Sequence, residues 1–263
     1  MKSSSLNWSV FFFLTLGLTV GWSLKAQAET PDTAPPELKD ALTQIDAAAN
    51  SGNIEEVMQF YDADFRNSDG LTYTSMQSAL TKLWQLYPQL SYRTELQNWE
   101  RDSDGIVAET VTYITSSQTN AGELKLESIL RSRQHFENQK IVEQEVLAEN
   151  SKLTSGVNPP TVEVNLPEQV RIGRQYNFDA IVQEPLGNQL LLGAAMEEAI
   201  DIERYTNPTE FELKLLPAGG IFKMGEAPLE EDQRWISAIL IRGDGMTMIT
   251  QRLQFVKGLS ANK

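Results

Sequence analysis

Apolar residues recur at helical spacing in the first part of this chain and alternate with polar ones further on. Leu38, Leu42, Ile45 and Ala49 predict a helix over 37–49 that ends near Ser51-Gly52. Asn53 is a good N-cap, with Glu56 three residues on to complete a capping box. The helix it starts presents Ile54, Val57, Met58 and Tyr61 on one side. A turn is expected at Asn67-Ser68-Asp69-Gly70. Thr74 or Ser75 then caps a third helix carrying Met76, Leu80, Leu83, Trp84 and Tyr87, which Pro88 stops.

After Pro88 the period falls to two. Residues 90–101, 106–117, 124–136 and 141–149 read as four strands joined by short polar turns, one of them near 119–122. Such connections predict an antiparallel meander, and helices segregated from it make an α+β domain over 37–150. Residues 151–160, Ser-Lys-Leu-Thr-Ser-Gly-Val-Asn-Pro-Pro, read as a linker. Seven further strand-like runs follow, at 161–166, 175–183, 189–195, 210–216, 220–225, 234–242 and 246–256. They predict a small all-β sandwich over 161–258, with a tail at 259–263. It is immunoglobulin-like in architecture only, since no Cys…Trp…Cys pattern exists. Residues 197–203 fit a helical turn or an irregular strand equally well.

The N-terminus has its own pattern. Lys2 precedes an apolar run from Val10 to Trp22, followed by Ala26-Gln27-Ala28. The run is shorter than the roughly 20 residues that span a bilayer, and Ala-x-Ala suits a signal peptidase. Cleavage after Ala28 would give an exported mature chain with no membrane span; an uncleaved anchor is the alternative. Residues 29–36 are Pro-rich and read as a flexible leader.

Composition narrows the chemistry. The 263 residues hold 22 Lys+Arg against 36 Asp+Glu, a formal charge of −14, so a nucleic-acid partner is not expected. No cysteine and one histidine remove thiol chemistry, thiolate metal sites and His-rich centres; no metal or cofactor is expected.

The run from Ala47 to Phe65, with its helix, short Gly-containing break and Tyr-x-x-Asp-Phe, resembles the opening of the nuclear transport factor 2-like (SnoaL-like) superfamily. The resemblance covers 37–150. It implies a cystatin-like cone, three helices packed on a curved antiparallel sheet, in which relatives serve as enzymes, binders or adaptors. It also implies that Asp64, at the end of the second helix beside Tyr61, falls where several members place a functional acid. A buried Asp64 would make a general base, whereas a solvent-facing one would cap a turn. His135, the lone imidazole, is the only candidate base for a Ser–His–Asp arrangement, and its place at a strand end also suits a surface residue. Tyr61, Phe65, Trp84, Tyr87, Trp99 and Tyr113 could line an apolar ligand pocket or simply fill the cone. Arg242-Gly243-Asp244 reads as a hairpin turn. The function expected is an exported, non-catalytic binding or interaction module of the cell envelope. Its partner would be a small apolar ligand or an envelope protein, with a homodimer through the first domain's sheet as a further expectation. A small-molecule isomerase, cyclase or hydrolase using an Asp/Tyr pocket is the alternative.

Overall fold

The computed structural model of the chain describes residues 28–87, 89–116 and 124–258. Pro36 at the first helical position starts α1 (Pro36–Ser51), and Gly52, at φ 69°, closes it in the left-handed conformation. Leu38, Ala41, Leu42, Ala48 and Ala49 form its buried face. The second helix is shorter than expected. Capped by Asn53, α2 (Ile54–Met58) stops after five residues, and Tyr61 begins a strand, β1 (Tyr61–Asn67). Tyr61, Phe65 and Asn67 are buried at even spacings, so a period of two prevails over the helical reading. The cap of α3 (Tyr73–Leu86) is Thr72, not Thr74 or Ser75; Ser75 closes the capping box from inside the helix.

The antiparallel meander is present as β2 (Leu90–Arg101), β3 (Ile106–Ser116), β4 (Lys125–Glu137) and β5 (Lys140–Gly156). Strand β1 joins it in parallel beside the start of β5. The outer strand, β2, has an occupied edge. Asp46 accepts the Thr94 N–H and O–H (2.7 Å each), Asn50 exchanges two bonds with the Tyr92 backbone, and Glu29 pairs with Trp99. Such cover suppresses edge-to-edge association. Residues 29–36 are therefore docked rather than a flexible leader: Pro31–Thr33 is a 3-10 turn and Ala34 is buried. The Trp99 indole N–H donates to Thr30 O (3.2 Å) and Thr33 Oγ1 (3.1 Å).

The larger correction concerns 151–160. Strand β5 runs 17 residues, so 151–156 are strand and not linker. Small polar residues are tolerated there because a neighbour on each side takes up the backbone groups: β4 on one, and β13 (Gly245–Val256) on the other. The second half of the chain thus extends the first half's sheet. Its elements are β6 (Val162–Asn165), β7 (Gln169–Arg171), β8 (Gln175–Val182), β9 (Leu192–Ala199), α4 (Ile202–Thr206), β10 (Lys214–Leu215), β11 (Gly220–Glu226), β12 (Asp232–Arg242) and β13. Residues 197–203 are strand through Ala199 and then enter α4.

The large sheet runs β10-β9-β12-β13-β5-β4-β3-β2, with β1 beside β5 and β7 beside β13. A three-stranded sheet, β11-β8-β6, encloses a core with part of it, including Phe178, Ala180, Leu191, Ala238, Leu240, Leu253 and Phe255. Two facing sheets were expected, but a separate sandwich is not what forms, because one of its sheets continues through β5 into the first half. A second core lies between the helices and β2–β5, built on Leu38, Met58, Phe65, Trp99, Ala108, Phe136 and Ile141. The fold is α+β, dominated by one large, mostly antiparallel sheet.

The expected signal segment through residue 27, the Pro88 stop, the 119–122 turn and the 259–263 tail lie outside the described residues. Among the described residues no helix is long and apolar enough to cross a membrane.

Candidate functional site

The aromatic residues expected to line one pocket are dispersed. Tyr61 and Phe65 stack edge to face at 4.9 Å inside the first core, which Trp99 also joins. Trp84 packs at the core's margin and donates its indole N–H to Tyr92 Oη (2.7 Å). Tyr87 belongs to a separate small cluster around Leu90, Leu126 and Leu153. Tyr113 stacks under the Arg93 guanidinium, 4.1 Å from its centroid. Burial, and then the nearby Tyr92, pushes the Tyr61 hydroxyl up to about 12.

Asp64 is exposed, and its N–H is held by Asp62 Oδ1 (2.9 Å). With Asp62, Glu137, Asn138, Lys140 and Val142 it borders a recess of about 320 Å³. A second recess of about 340 Å³ lies between the start of α1 and the β2–β3 and β4–β5 turns, with Leu38, Ala41, Ile106 and Phe136 inside and Arg101 and Asp102 at its rim. Neither recess brings Asp64 to Tyr61. His135 lies in β4 opposite Val107 and Glu143, and its buried Nε2 has no hydrogen-bond partner. Arg242 of the Arg-Gly-Asp turn is buried, donating to Asn158 O (3.0 Å), so that tripeptide is not displayed. Among the described residues no three His, Asp or Glu side chains converge as a metal site.

Where the two halves meet, the structure assembles residues that patterning did not single out. The 67–70 turn is set by Asn67 Oδ1, which accepts the Asp69 N–H (2.7 Å), and by Gly70 at φ 87°. It aims Asp69 at Arg252 of β13, whose side chain is fully buried. The guanidinium grips Asp69 with two bonds (2.9 and 2.8 Å), and also donates to Gln233 Oε1 (2.8 Å) and Glu149 Oε2 (3.2 Å). Trp235 Nε1 donates to the same Glu149 oxygen (2.9 Å) and Tyr205 Oη donates to Asp69. The Tyr205 and Trp235 rings meet edge to face at 5.0 Å. Burial alone would raise the Asp69 pKa, but the bonds and charge of Arg252, with the Tyr205 and Ser68 hydroxyls, bring it below the usual carboxylate range. Tyr205 is pushed well above its ordinary value, by burial first and then by Asp69 and Glu149. The cluster ties β1–α3, β5, β12, β13 and α4 together.

The same face of the sheet becomes apolar toward the β12–β13 hairpin. Directly opposed residues share a face, so the registers place Leu215, Leu192, Ile241 and Met246 in one row across β10, β9, β12 and β13. The next row is Ala194, Ile239, Met248 and Leu153, which is itself opposite Leu126 of β4. Over the first half of the sheet this face is covered by helices. Over the second half Leu215 is 57% and Leu192 38% exposed, with Leu190 (71%) and Leu213 (41%) beside them in sequence. Ile241, Met246 and Met248 are half-buried, the two methionines against the Leu90, Leu126 and Leu153 cluster, and Ile239 and Leu153 are buried. Exposed apolar residues gathered at one end of a sheet in this way are a feature of interaction sites.

Comparison with known proteins adds little chemistry. A family described as a domain of unknown function, DUF8623, matches residues 157–256, beginning where β5 ends and covering under half of the chain. No curated protein matches the sequence. Among solved structures, Bd1075 of Bdellovibrio bacteriovorus is similar over 42% of this chain and 38% of its own length, at 18% identity and a TM-score of 0.33. An LEH-like epoxide hydrolase of Mycobacterium tuberculosis shares 42% of this chain and 80% of its own, at 10% identity and 0.30. A Nostoc punctiforme protein of unknown function with a cystatin-like fold shares 42% and 86%, at 10% identity and 0.31. These likenesses are partial and low, and assign neither family nor activity.

Proposed function

We propose that the chain is an exported, non-catalytic protein-interaction module. Its two halves act as one body, and its working surface is the apolar face spanning β10, β9, β12 and β13. The observation that carries this reading is the Leu215–Leu192–Ile241–Met246 row, with Leu215 and Leu192 exposed and Ile241 and Met246 half-buried, on a face that helices cover elsewhere. Export is supported by the Ala26-Gln27-Ala28 sequence, after which Glu29 is hydrogen-bonded to Trp99. The isomerase or hydrolase alternative has less support, because Tyr61 is buried in the core while Asp64 faces solvent.

The test compares the full-length protein with a Leu192→Asp/Leu215→Asp variant, recovered from the cells that make it. The variant should lose a specific co-purifying protein that Asp64→Asn and Tyr61→Phe retain. Retention of that protein by the double variant would overturn the reading.

A further inference from the structure

Resting on that reading, the surroundings of the apolar rows narrow the kind of partner they fit. Three strand spacings of about 4.8 Å separate the first and last members of a row, a width of roughly 14 Å. An α-helix with its side chains is about 10–12 Å across, so one helix fills the space. Helices already form the second layer over the other half of this face: α1 and α3 bury Leu38, Leu42 and Met76 against the same sheet.

Charge then selects among helices. From the end of β9 through α4 to the start of β10, residues 198–214 carry Glu198, Asp201, Glu203, Glu210 and Glu212 against Arg204 and Lys214, while Glu197 points to the other face and is paired with Arg234. Both bases already have acidic neighbours, Arg204 with Glu198 and Lys214 with Glu212, each at 3.7 Å. Asp201, Glu203 and Glu210 are exposed. The chain as a whole is at −14, which opposes an anionic partner and a second copy alike. We infer that the face takes an amphipathic helix of another protein, with leucine-like residues on one side and Lys or Arg on the other. Its apolar stripe would lie on Leu192, Leu215, Ile241 and Met246, and its cations would meet the acidic segment.

The experiment titrates the full chain with three labelled synthetic 18-residue peptides. One is a Leu/Lys amphipathic helix, one its Leu/Glu counterpart, and one a Leu/Lys peptide of the same composition scrambled to remove the apolar face. Fluorescence anisotropy should show binding of the Leu/Lys helix, roughly tenfold or more weaker for the scrambled and Leu/Glu peptides. It should also weaken roughly tenfold in Leu192→Asp/Leu215→Asp and stay unchanged in Phe222→Asp, an exposed apolar position on the other sheet. Circular dichroism melts matched to wild type show that the variants fold. A Leu/Glu helix that binds as well as the Leu/Lys helix, both through the Leu192/Leu215 face, would overturn the cationic partner and leave the interaction reading standing. No peptide sensitive to the face substitutions would overturn both. A concentration-dependent dimer abolished by Leu192→Asp/Leu215→Asp would replace the foreign helix with a second copy.

Discussion

Replacing Arg252 by Met separates a stabilising ion cluster from mere filling of space. The Arg252 side chain is fully buried, and the substitution leaves Asp69 (3% exposed) and Glu149 (19%) without their cation. Breaking a buried pair from one side costs about 3–5 kcal/mol. An independent bound agrees: Asp69 can escape its buried charge by taking a proton, which at pH 7 costs about 1.36 × (7 − 3.9), or ~4 kcal/mol, against its unfolded value. At pH 5 the same bound falls to ~1.5 kcal/mol. In the wild type the Asp69 pKa is depressed, so its contribution is complete above the ordinary carboxylate range and is lost only as pH falls through the depressed value. The wild type therefore stays level between pH 7 and 5 on this account, while the Arg252→Met deficit shrinks. Urea denaturation at the two pH values measures both, since a sheet continuous through β5 favours a single transition. Adding Asp69→Leu to Arg252→Met should recover part of the loss, because it removes the stranded carboxylate. A deficit below about 1 kcal/mol at pH 7, or one that does not change with pH, would refute the reasoning.

Other consequences follow from the same structure. Tyr92 is held near 12, raised by burial and partly offset by the Trp84 bond, and Tyr61 is similarly high; both lie above the unfolded value near 10. Their contribution is complete below pH 10 and should be lost as pH rises toward 12, which urea midpoints from pH 8 to 11 would record. Tyr92→Phe should flatten that decline and, by stranding the Trp84 N–H, cost about 1 kcal/mol at neutral pH. Trypsin should spare Lys152, because β5 is paired on both sides there; early cleavage at Lys152 would show that the sheet is not continuous. Mass spectrometry of the exported protein should find Glu29 at the mature N-terminus, and recovery of residues 1–28 would instead indicate an anchor.

Much of the architecture is legible in the sequence where one period dominates a segment. The α1 face, the 90–149 meander and most strands of the second half follow directly from spacing. The 61–67 segment is different: Tyr61 continues an i, i+3 pattern and equally begins an alternation with Phe65, and only pairing with β5 decides between them. Ser151 to Gly156 look like linker by composition, yet flanking strands satisfy their backbone from both sides, which no local signal reports. The Arg252 cluster joins residues separated by up to 183 positions. Its only local trace is a cation in a strand otherwise rich in apolar and hydroxyl residues. The open face is similarly hidden, since its rows come from four strands and exist only once the register is known. Asp64 stands out through the family resemblance and His135 as the lone imidazole, and neither signal carries information on whether other groups converge on them.

The central claim, that the β10-β9-β12-β13 face is the working surface, is tested most directly by site-specific photocrosslinking in the producing cells. A photoreactive residue at Leu192, Leu215 or Met246 should capture one discrete protein that the same residue at Phe222 does not. That protein, once purified, should bind the wild-type chain and fail to bind Leu192→Asp/Leu215→Asp. Adducts from Phe222 alone, or a purified partner indifferent to the double substitution, would contradict the account.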